Sequence, residues 1–207
     1  MRRSSRRSTP RGRKPAAPDP IVRFRRWFEA ALRARIPLAE AMALATADRR
    51  GTPMVRYVLL KEATADGFVF FSDSRSAKGR DLAVRRRASL AFYWNATGKQ
   101  VRIEGRIVAV STADADAYWE TRPRQSRLAG AASTQSQPMP SHAWLMTRWR
   151  RLRRAVGRGP IPRPATWIGY RLVPDAIEFW SRRAYRLHLR ERFERPQGRW
   201  RRTILQP

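Results

Sequence analysis

The residues with the clearest chemical potential lie close to the C-terminus, in the stretch 185–190, which reads Tyr-Arg-Leu-His-Leu-Arg. If this stretch is a β-strand, its two-residue period places Arg186, His188 and Arg190 on one face and the two leucines on the other. Arginine offers a planar fork of donors for phosphate, and neutral histidine can donate or accept a proton near pH 7. Such a face suits a planar anionic ligand, and a solvated basic edge strand has the same pattern.

Other side chains that suit phosphate are dispersed along the chain. Arg56 and Lys61 lie on one predicted strand at an odd spacing, so a regular strand points them to opposite faces. Tyr118 and Arg122 are four residues apart on a predicted helix and share a face, and Ser126 can add a hydroxyl from the segment that follows. A phenol, a guanidinium and a hydroxyl make a cradle for a phosphate monoester. Together these groups predict two anionic ligands.

Several familiar classes of site are excluded by what the sequence lacks. It has no glycine-rich nucleotide fingerprint, no phosphate loop and no Gly-x-Ser-x-Gly elbow. The absence of cysteine excludes disulfides and thiol nucleophiles, and with only His142 and His188 a histidine-based metal centre is not expected. Phosphate binding must therefore come from dispersed side chains.

Charge and composition describe one basic domain. The 207 residues are 42% hydrophobic with eight tryptophans, enough for one substantial core, and the formal net charge is +29. That charge raises nucleic acid as a partner, but only four of the basic residues are lysines. An arginine bias spread over the whole chain looks as much like a coding preference as a binding face, so nucleic acid stays a minority hypothesis.

Residues 1–18 are predicted to be a disordered, arginine-rich tail, because they hold no acid and almost no apolar side chain. The tail is either a polyanion-binding arm or a solvated extension. No apolar run reaches the length of a membrane span, and the basic start lacks the apolar region of a secretory signal. A soluble protein of the reducing cytoplasm, with no membrane partner, is the expectation.

From residue 19 onward the pattern predicts a domain of antiparallel strands with flanking helices. Asp19-Pro20 should cap a helix that runs to about Arg35. Residues 39–47 are ambiguous between helix and strand, and 124–140, rich in Ser, Gln, Ala and Gly, is predicted to be a ligand-contacting loop. The remaining helices are expected at 77–87, 111–119 and from Ser141, and the strands at 54–61, 68–72, 89–94, 100–110, 166–173, 176–180, 185–193 and about 200–205.

These motifs, taken in order, resemble the pyridoxine/pyridoxamine 5'-phosphate oxidase family. The resemblance covers about residues 19–207 and includes the signatures Glu-Phe-Trp at 178–180 and Arg-Leu-His-Leu-Arg at 186–190. The other matching stretches are 56–61, 67–72, 76–79, 100–101, 118–126 and 135–136.

The resemblance implies a mainly β fold, an antiparallel FMN-binding split β-barrel with flanking helices, which forms a homodimer with FMN between the subunits. Residues from about 166 to 207 would form the C-terminal dimerisation and active-site region. Carried over by position, the FMN contacts would be Arg56, Val58, Lys61, Phe71, Ser72, Lys78, Gln100, Gln135, Ser136, Trp180 and Arg190. The substrate phosphate would be held by Lys61, Tyr118, Arg122 and Ser126.

Arg186 and His188 would be the catalytic pair of such an enzyme and would face the substrate's pyridine ring. The family activity is the oxidation of pyridoxine 5'-phosphate or pyridoxamine 5'-phosphate to pyridoxal 5'-phosphate: hydride passes from C4' to the flavin, and O2 reoxidises the flavin with H2O2 as product. The flavin does the redox work, and the protein supplies orientation and charge.

The departures from the family pattern bear on substrate fit more than on flavin binding. Phe71 stands where Tyr is common, Ala77 where Arg is common, Leu189 where an acid is common, and Ala131 in a small-residue run where a Trp is usual. With Ala77 in place of arginine, Arg75 and Lys78 would share the flavin phosphate. The alternatives are an FMN split-barrel oxidoreductase with another substrate, of the phenazine-pathway type, and a basic polyanion-binding barrel without oxidase activity.

Overall fold

The computed structural model describes residues 19–207, apart from the side chain of Gln197, so the predicted tail lies outside the described residues. The described chain forms five α-helices and nine strands. The helices are α1 Pro20–Arg33, α2 Ala77–Val84, α3 Thr112–Thr121, α4 Arg124–Ala132 and α5 His142–Val156. The strands are β1 Ala41–Ala47, β2 Pro53–Leu59, β3 Glu62–Thr64, β4 Gly67–Asp73, β5 Arg87–Trp94, β6 Lys99–Ala109, β7 Trp167–Ser181, β8 Leu189–Glu194 and β9 Arg201–Leu205.

All strands pair antiparallel in one sheet of order β2-β1-β5-β6-β7-β4-β3, with β8 paired to β7 and β9 to β8. The long strand β7 pairs with β6 along one edge, and on its other edge with β4 near its start and β8 near its end. The sheet curls back on itself, because only residues 60 and 61 separate β2 from β3, the two ends of this strand order: the Leu60 N–H donates to the Glu40 carbonyl beside β1 at 2.9 Å, and the Lys61 N–H donates to the Val69 carbonyl on β4 at 2.8 Å. The predicted mainly β, antiparallel class is confirmed.

Strand β7 corrects the prediction of two strands at 166–173 and 176–180, which was wrong. A register shift opposite Glu104 and Gly105 lets the strand continue past Pro174. The bulge accommodates one extra residue, and a proline without an N–H is tolerated there. A Cβ on Gly105 would lie 2.1 Å from the Val173 carbonyl oxygen, so only glycine permits this close approach.

The inner face of the curled sheet carries an aromatic core closed by α1. Asp19 caps this helix as predicted, accepting the Ile21 N–H at 2.8 Å, and the helix ends at Arg33, two residues earlier than expected. Phe24 is fully buried and packs edge-on against Phe68 with ring centroids 4.8 Å apart. The ambiguous stretch 39–47 forms strand β1, whose alternate residues Met42 and Leu44 fill this core.

Helix α4 corrects the prediction that 124–140 is a loop. Residues 124–132 are helical, and only the following segment to Ser141 is irregular. The small residues of α4 let it lie close to α3, because a Cβ on Gly130 would be only 3.2 Å from Cη2 of Trp119. Leu128 is buried there in a second, smaller core with Trp119, Ile161 and Trp167.

The C-terminal stretch corrects the strand predicted at 185–193. Strand β8 begins at Leu189, which pairs with Ser181, so the residues between them form the connection that reverses the chain. Tyr185 and Arg186 have φ of 55° and 61°, the left-handed region that a regular strand excludes. The alternating face drawn through Arg186, His188 and Arg190 is therefore wrong as a strand face.

Helix α5 is capped by Ser141, which accepts the Trp144 N–H at 3.1 Å, and it rests on the second core through Trp149, Leu152 and Val156. Its five arginines are exposed. No helix between residues 19 and 207 combines the length and apolarity needed to cross a membrane.

Candidate active site

A buried lysine organises the first group of predicted contact residues, here named the lysine cluster (Ser72, Ser76, Lys78 and Gln135). The Lys78 Nζ donates to Ser72 Oγ at 3.1 Å, to Gln135 Oε1 at 3.0 Å and to Ser76 Oγ at 3.4 Å. Ser76 also caps α2 by accepting the Gly79 N–H. Burial, then the charge of Arg56, lowers the pKa of Lys78 from 10.5, while Asp73 opposes this. The ammonium is thus surrounded by neutral oxygens and suits a phosphate.

Arg56 lies next to the lysine cluster and is held by two residues that the sequence analysis did not name. Its Nη1 donates to Thr46 Oγ1 at 2.5 Å, and its Nη2 lies 3.5 Å from Asp81 Oδ2. Thr46 in turn donates to Asp81 at 2.6 Å. Asp81 is three residues after Lys78 on α2, a spacing that places both on one helix face and was the available signal.

Arg75 does not share the lysine cluster in the described structure. Its Nη2 and Nε donate to the two carboxylate oxygens of Asp73 at 2.8 and 3.1 Å, so the guanidinium is committed to a bidentate pair. With Ala77 in place of a basic residue, Lys78 and Arg56 are the cations that remain at this position.

A second group, here named the arginine–aromatic cluster, comprises Phe71, Tyr118, Trp119, Arg122 and Trp167. The Arg122 guanidinium carbon lies 4.7 Å from the Trp167 ring centroid and 5.2 Å from that of Trp119. Among the residues described, no carboxylate pairs with Arg122, and burial lowers its pKa. A half-buried guanidinium without an acidic partner is ready for an external anion.

The arginine–aromatic cluster brings together three predicted substrate contacts. Tyr118 lies in the last turn of α3, Arg122 directly follows the helix in an extended conformation, and the Arg122 Nη2 donates to the Ser126 carbonyl at 3.3 Å. Phe71 stacks on Tyr118 with ring centroids 4.3 Å apart and planes 12° from parallel. The ring of Phe71 therefore forms one side of the arginine–aromatic cluster, in contact with Tyr118.

A third group, here named the C-terminal row, lies on the outer face of β6, β7 and β8. Gln100 pairs with Trp180, and Trp180 pairs with Arg190, so their side chains form one line across three strands. The Arg190 Nε donates at 2.9 Å to the buried carboxylate of Glu178, which raises the pKa of Arg190. Glu178 belongs to the recognised signature, but its pairing with Arg190 was not anticipated.

His188 extends the C-terminal row, and Arg186 does not. The His188 ring lies 4.6 Å from the Trp180 ring, and its Nδ1 accepts the Arg183 N–H at 3.2 Å. In this arrangement the neutral imidazole carries its proton on Nε2, which is then the donor available to a ligand. Arg186 is exposed on the left-handed turn beside it.

Three predicted contacts remain apart from these groups in the described chain. Lys61 is exposed and lines a shallow cavity between α1 and β3, next to Arg25 and Glu62. Val58 packs partly buried against the main core. Ser136 is exposed, with φ of 68°, on the loop that carries Gln135.

Comparison with known protein families gives two matches that together span most of the domain. Residues 28–153 match the family described as pyridoxamine 5'-phosphate oxidase, and residues 167–207 match the pyridoxine 5'-phosphate oxidase C-terminal dimerisation region. The chain is 46% identical over 190 residues to a pyridoxine/pyridoxamine 5'-phosphate oxidase of Novosphingobium aromaticivorans, covering 91% of this chain and 94% of that protein. It is 47% identical to the Cupriavidus necator enzyme of the same name, covering 92% and 90%.

Two solved structures are similar in fold. PhzG from Burkholderia lata, in complex with tetrahydrophenazine-1-carboxylic acid, has a TM-score of 0.87 at 35% identity and covers 91% of this chain and 93% of that one. An FMN-binding, pyridoxamine 5'-phosphate oxidase-related protein from Nostoc punctiforme has a TM-score of 0.75 at 20% identity, covers 89% and 97%, and supports the fold alone.

Proposed function

The chain belongs to the pyridoxine/pyridoxamine 5'-phosphate oxidase family, and on that premise we propose how its residues serve the activity. It is a flavin-dependent oxidoreductase that converts pyridoxine 5'-phosphate and pyridoxamine 5'-phosphate to pyridoxal 5'-phosphate, with O2 as electron acceptor and H2O2 as product. We assign the flavin as FMN. A cytoplasmic location remains a prediction from the sequence.

Two separate cations, each available to bind an anion, support this proposal most directly. Lys78 is buried among neutral oxygens, and Arg122 is half-buried on aromatic rings without a carboxylate partner among residues 19–207. FMN and a phosphorylated substrate each carry one phosphate, so the reaction needs two such positions. We assign Lys78, with Ser72, Gln135 and Arg56, to the FMN phosphate, and Arg122, with Tyr118 and Ser126, to the substrate phosphate.

The C-terminal row supplies orientation near the reacting atoms. When bound, the flavin supplies the hydride acceptor. Trp180 presents a ring face, Arg190 presents a cation fixed by Glu178, and His188 presents Nε2–H. Arg186 would bring a second cation to the substrate ring from the exposed turn. We propose Arg186 and His188 as the catalytic pair, and binding through the distant phosphate restricts the substrate to the reactive orientation.

We also propose that the site is completed in a homodimer. No hydrogen bond, ion pair or ring contact joins the C-terminal row to the lysine cluster within residues 19–207, so one chain alone leaves the proposed contacts in two places. The outer face of β2 presents Val55 and Tyr57, which are 69% and 77% exposed. The register continues this face through Ala43 and Ala91 on β1 and β5, and it becomes charged on β7 and β8 at Glu178 and Arg192, inside the stretch that matches the dimerisation region. Pairing such faces would bring the groups of two subunits together.

An oxidase with a phenazine-type substrate is the second candidate, favoured by the TM-score of 0.87 to a protein that binds tetrahydrophenazine-1-carboxylic acid. That ligand is a flat anion too, so the cation at Arg122 suits both classes. The relatives at 46% and 47% identity favour the phosphorylated vitamers over this 35% match. Binding of nucleic acid by the arginine-rich tail has no support in the described residues.

The test is an absorption spectrum of the full chain reconstituted with FMN, followed by anaerobic addition of pyridoxine 5'-phosphate. Flavin bands that bleach on addition and return with air would establish cofactor and substrate together. Bands that ignore pyridoxine 5'-phosphate and pyridoxamine 5'-phosphate but bleach with a dihydrophenazine carboxylic acid would support the second candidate. A chain that retains no FMN would contradict both.

A further inference from the structure

Arg122 differs from the carboxylate-paired arginines of this protein in what holds its side chain. Many described arginines pair with carboxylates, as Arg56 does with Asp81 and Arg190 with Glu178. Arg122 instead lies on two indole rings and makes one weak hydrogen bond, at 3.3 Å, to the Ser126 carbonyl. Because a lone hydrogen bond leaves a long side chain free to rotate, the aromatic surface must set the position of the guanidinium.

Trp167 is the nearer of the two rings to Arg122, and it also contacts Phe71, which stacks on Tyr118. Its ring lies 4.8 Å from that of Phe71 with planes 6° from parallel, and Phe71 stacks in turn on Tyr118. The three planes are nearly parallel, since Trp167 and Tyr118 differ by 7°. Trp167 therefore touches Arg122 directly and reaches Tyr118 through Phe71.

Trp167 is itself fixed by its surroundings. It is the first residue of β7, and its ring is buried edge-on against Trp119 at 4.8 Å. Its carbonyl accepts from Arg163 Nη1 at 2.7 Å, and its N–H donates to the Pro164 carbonyl at 2.8 Å. Because both its backbone and its ring are held in place, Trp167 can serve as a rigid surface on which the Arg122 guanidinium lies.

We propose that Trp167 is a positioning residue for the substrate phosphate, which orders Arg122 through its ring face and Tyr118 through the Phe71 stack. This inference rests on the proposed function. A guanidinium already ordered before binding loses less side-chain freedom when the phosphate arrives. Without the Trp167 indole, Arg122 keeps only the more distant Trp119 ring, at 5.2 Å, and the substrate itself must supply more of the ordering.

The test compares Trp167→Leu with Trp167→Phe in the FMN-loaded enzyme, using pyridoxine 5'-phosphate and, as the substrate without phosphate, pyridoxine. Trp167→Leu should raise the KM for pyridoxine 5'-phosphate about ten-fold, because a desolvated cation–π contact is worth about that factor. The KM for pyridoxine, the kcat and the FMN affinity should stay within about two-fold. Trp167→Phe keeps a ring face and should restore most of the loss.

Trp200→Leu is the matched control, because Trp200 also carries an arginine, Arg195, at 5.6 Å and lies outside the three groups. It should leave the preference for the phosphorylated substrate unchanged. Equal losses with both substrates, or weaker FMN binding in Trp167→Leu, would show a merely structural role and overturn the inference. If Trp167→Leu does not fold, a double-mutant cycle between Trp167→Met, which also lacks a ring, and Arg122→Lys replaces it, and additive effects on KM would overturn the inference.

The failure of this inference is distinct from that of the proposed function. A wild-type enzyme inactive with either phosphorylated vitamer would overturn the proposed function. An active wild type whose Trp167→Leu variant keeps its full preference for the phosphorylated substrate would overturn only the role of Trp167.

Discussion

The lysine cluster and the C-terminal turn both carry residues assigned to one active site, yet they are built in different ways. Lys78 is buried, its ammonium is fixed by three oxygens, and Ser76 beside it caps a helix. The turn holds Tyr185, 93% exposed, followed by Arg186, and both have positive φ. The His188 ring is oriented, among the described residues, by one hydrogen bond from the Arg183 N–H and one contact with the Trp180 ring.

This difference corresponds to what each region is proposed to meet. The FMN phosphate assigned to the lysine cluster does not change during the reaction, so the groups that hold it can be ordered in advance by packing. The reacting ring must enter and leave, and the residues that face it lie on an exposed turn supported by few contacts. Backbone in sparsely populated φ/ψ regions often lies at functional sites, and Tyr185 and Arg186 have it here.

The sharpest test of the comparison is to alter the exposed turn alone. Arg186→Ala and His188→Ala should each lower kcat/KM by two to three orders of magnitude, roughly the loss seen when one group facing developing charge is removed. FMN affinity should stay within about two-fold, because the proposed phosphate position is elsewhere. Steady-state turnover and flavin fluorescence titration of each variant provide the two readouts.

Arg183→Ala is a useful control beside these variants, because Arg183 offers its backbone N–H to His188 while its own side chain is exposed. The substitution keeps the backbone donor and should keep most of the activity. Wild-type turnover in both Arg186→Ala and His188→Ala would reject the proposed catalytic pair.

Altering the lysine cluster should have the opposite effect to altering the turn: FMN binding should weaken and turnover should change little. Lys78→Met should weaken FMN binding by about 30-fold, since one hydrogen bond between charged groups is worth about 2 kcal/mol. Turnover at saturating FMN should change little. Burial lowers the pKa of Lys78 below 10.5, so wild-type affinity should fall as the pH rises toward that value, and the variant should lack this fall.

Lys99→Met is the matched lysine variant, because Lys99 lies over the Trp27 ring at 4.7 Å, outside the cluster. Its FMN affinity should equal that of the wild type. If Lys78→Met bound FMN as tightly as Lys99→Met does, the assignment of the FMN phosphate to Lys78 would be wrong.

The sequence predicted local structure best where the signal is local. The Asp19-Pro20 cap, the strand predicted at 100–110 and the helix predicted at 111–119 were all confirmed to within two residues, because each depends on residues close together in the chain. The strand through 185–188 was wrong because the tertiary structure requires a chain reversal there, which an alternating pattern does not reveal.

Prediction of the site from the sequence has the same limit, because contacts between distant parts of the chain are missed. The resemblance named Ser72, Lys78 and Gln135, and they do meet, although 57 residues separate Lys78 from Gln135. It did not name Asp81 or Trp167, which hold Arg56 and Arg122 in place. The spacing from Lys78 marks Asp81, but no spacing in the sequence marks Trp167, because its contact with Arg122 depends on how the end of α3 lies against β7.

The C-terminal region differs from the lysine cluster in a further respect, because alternating charges hold its strands together. Glu104 on β6 accepts from Arg192 on β8 at 3.1 and 3.2 Å and from Arg102 at 2.7 Å. Hydrogen bonds from Arg192, supported by Arg102 and opposed by burial, lower the pKa of Glu104 from 4.5 to about 2. The charged carboxylate is therefore favoured in the folded chain.

The smallest expected effect follows from this carboxylate. Its folded pKa is depressed, so its contribution to stability is fully present above pH 4.5 and is lost as the pH falls through 4.5 toward 2. After allowance for solvent screening, Glu104→Gln should lower the free energy of unfolding by about 1 to 2 kcal/mol at pH 7. Urea titrations at pH 7 and pH 3 should show the difference from wild type shrinking at the lower pH. Glu29→Gln, at an exposed pair with Arg33 on α1, should differ little from wild type at either pH. If the loss of unfolding free energy in Glu104→Gln stayed constant between the two pH values, packing rather than charge would hold β6 and β8 together. The lysine cluster and the C-terminal region would then differ in exposure alone.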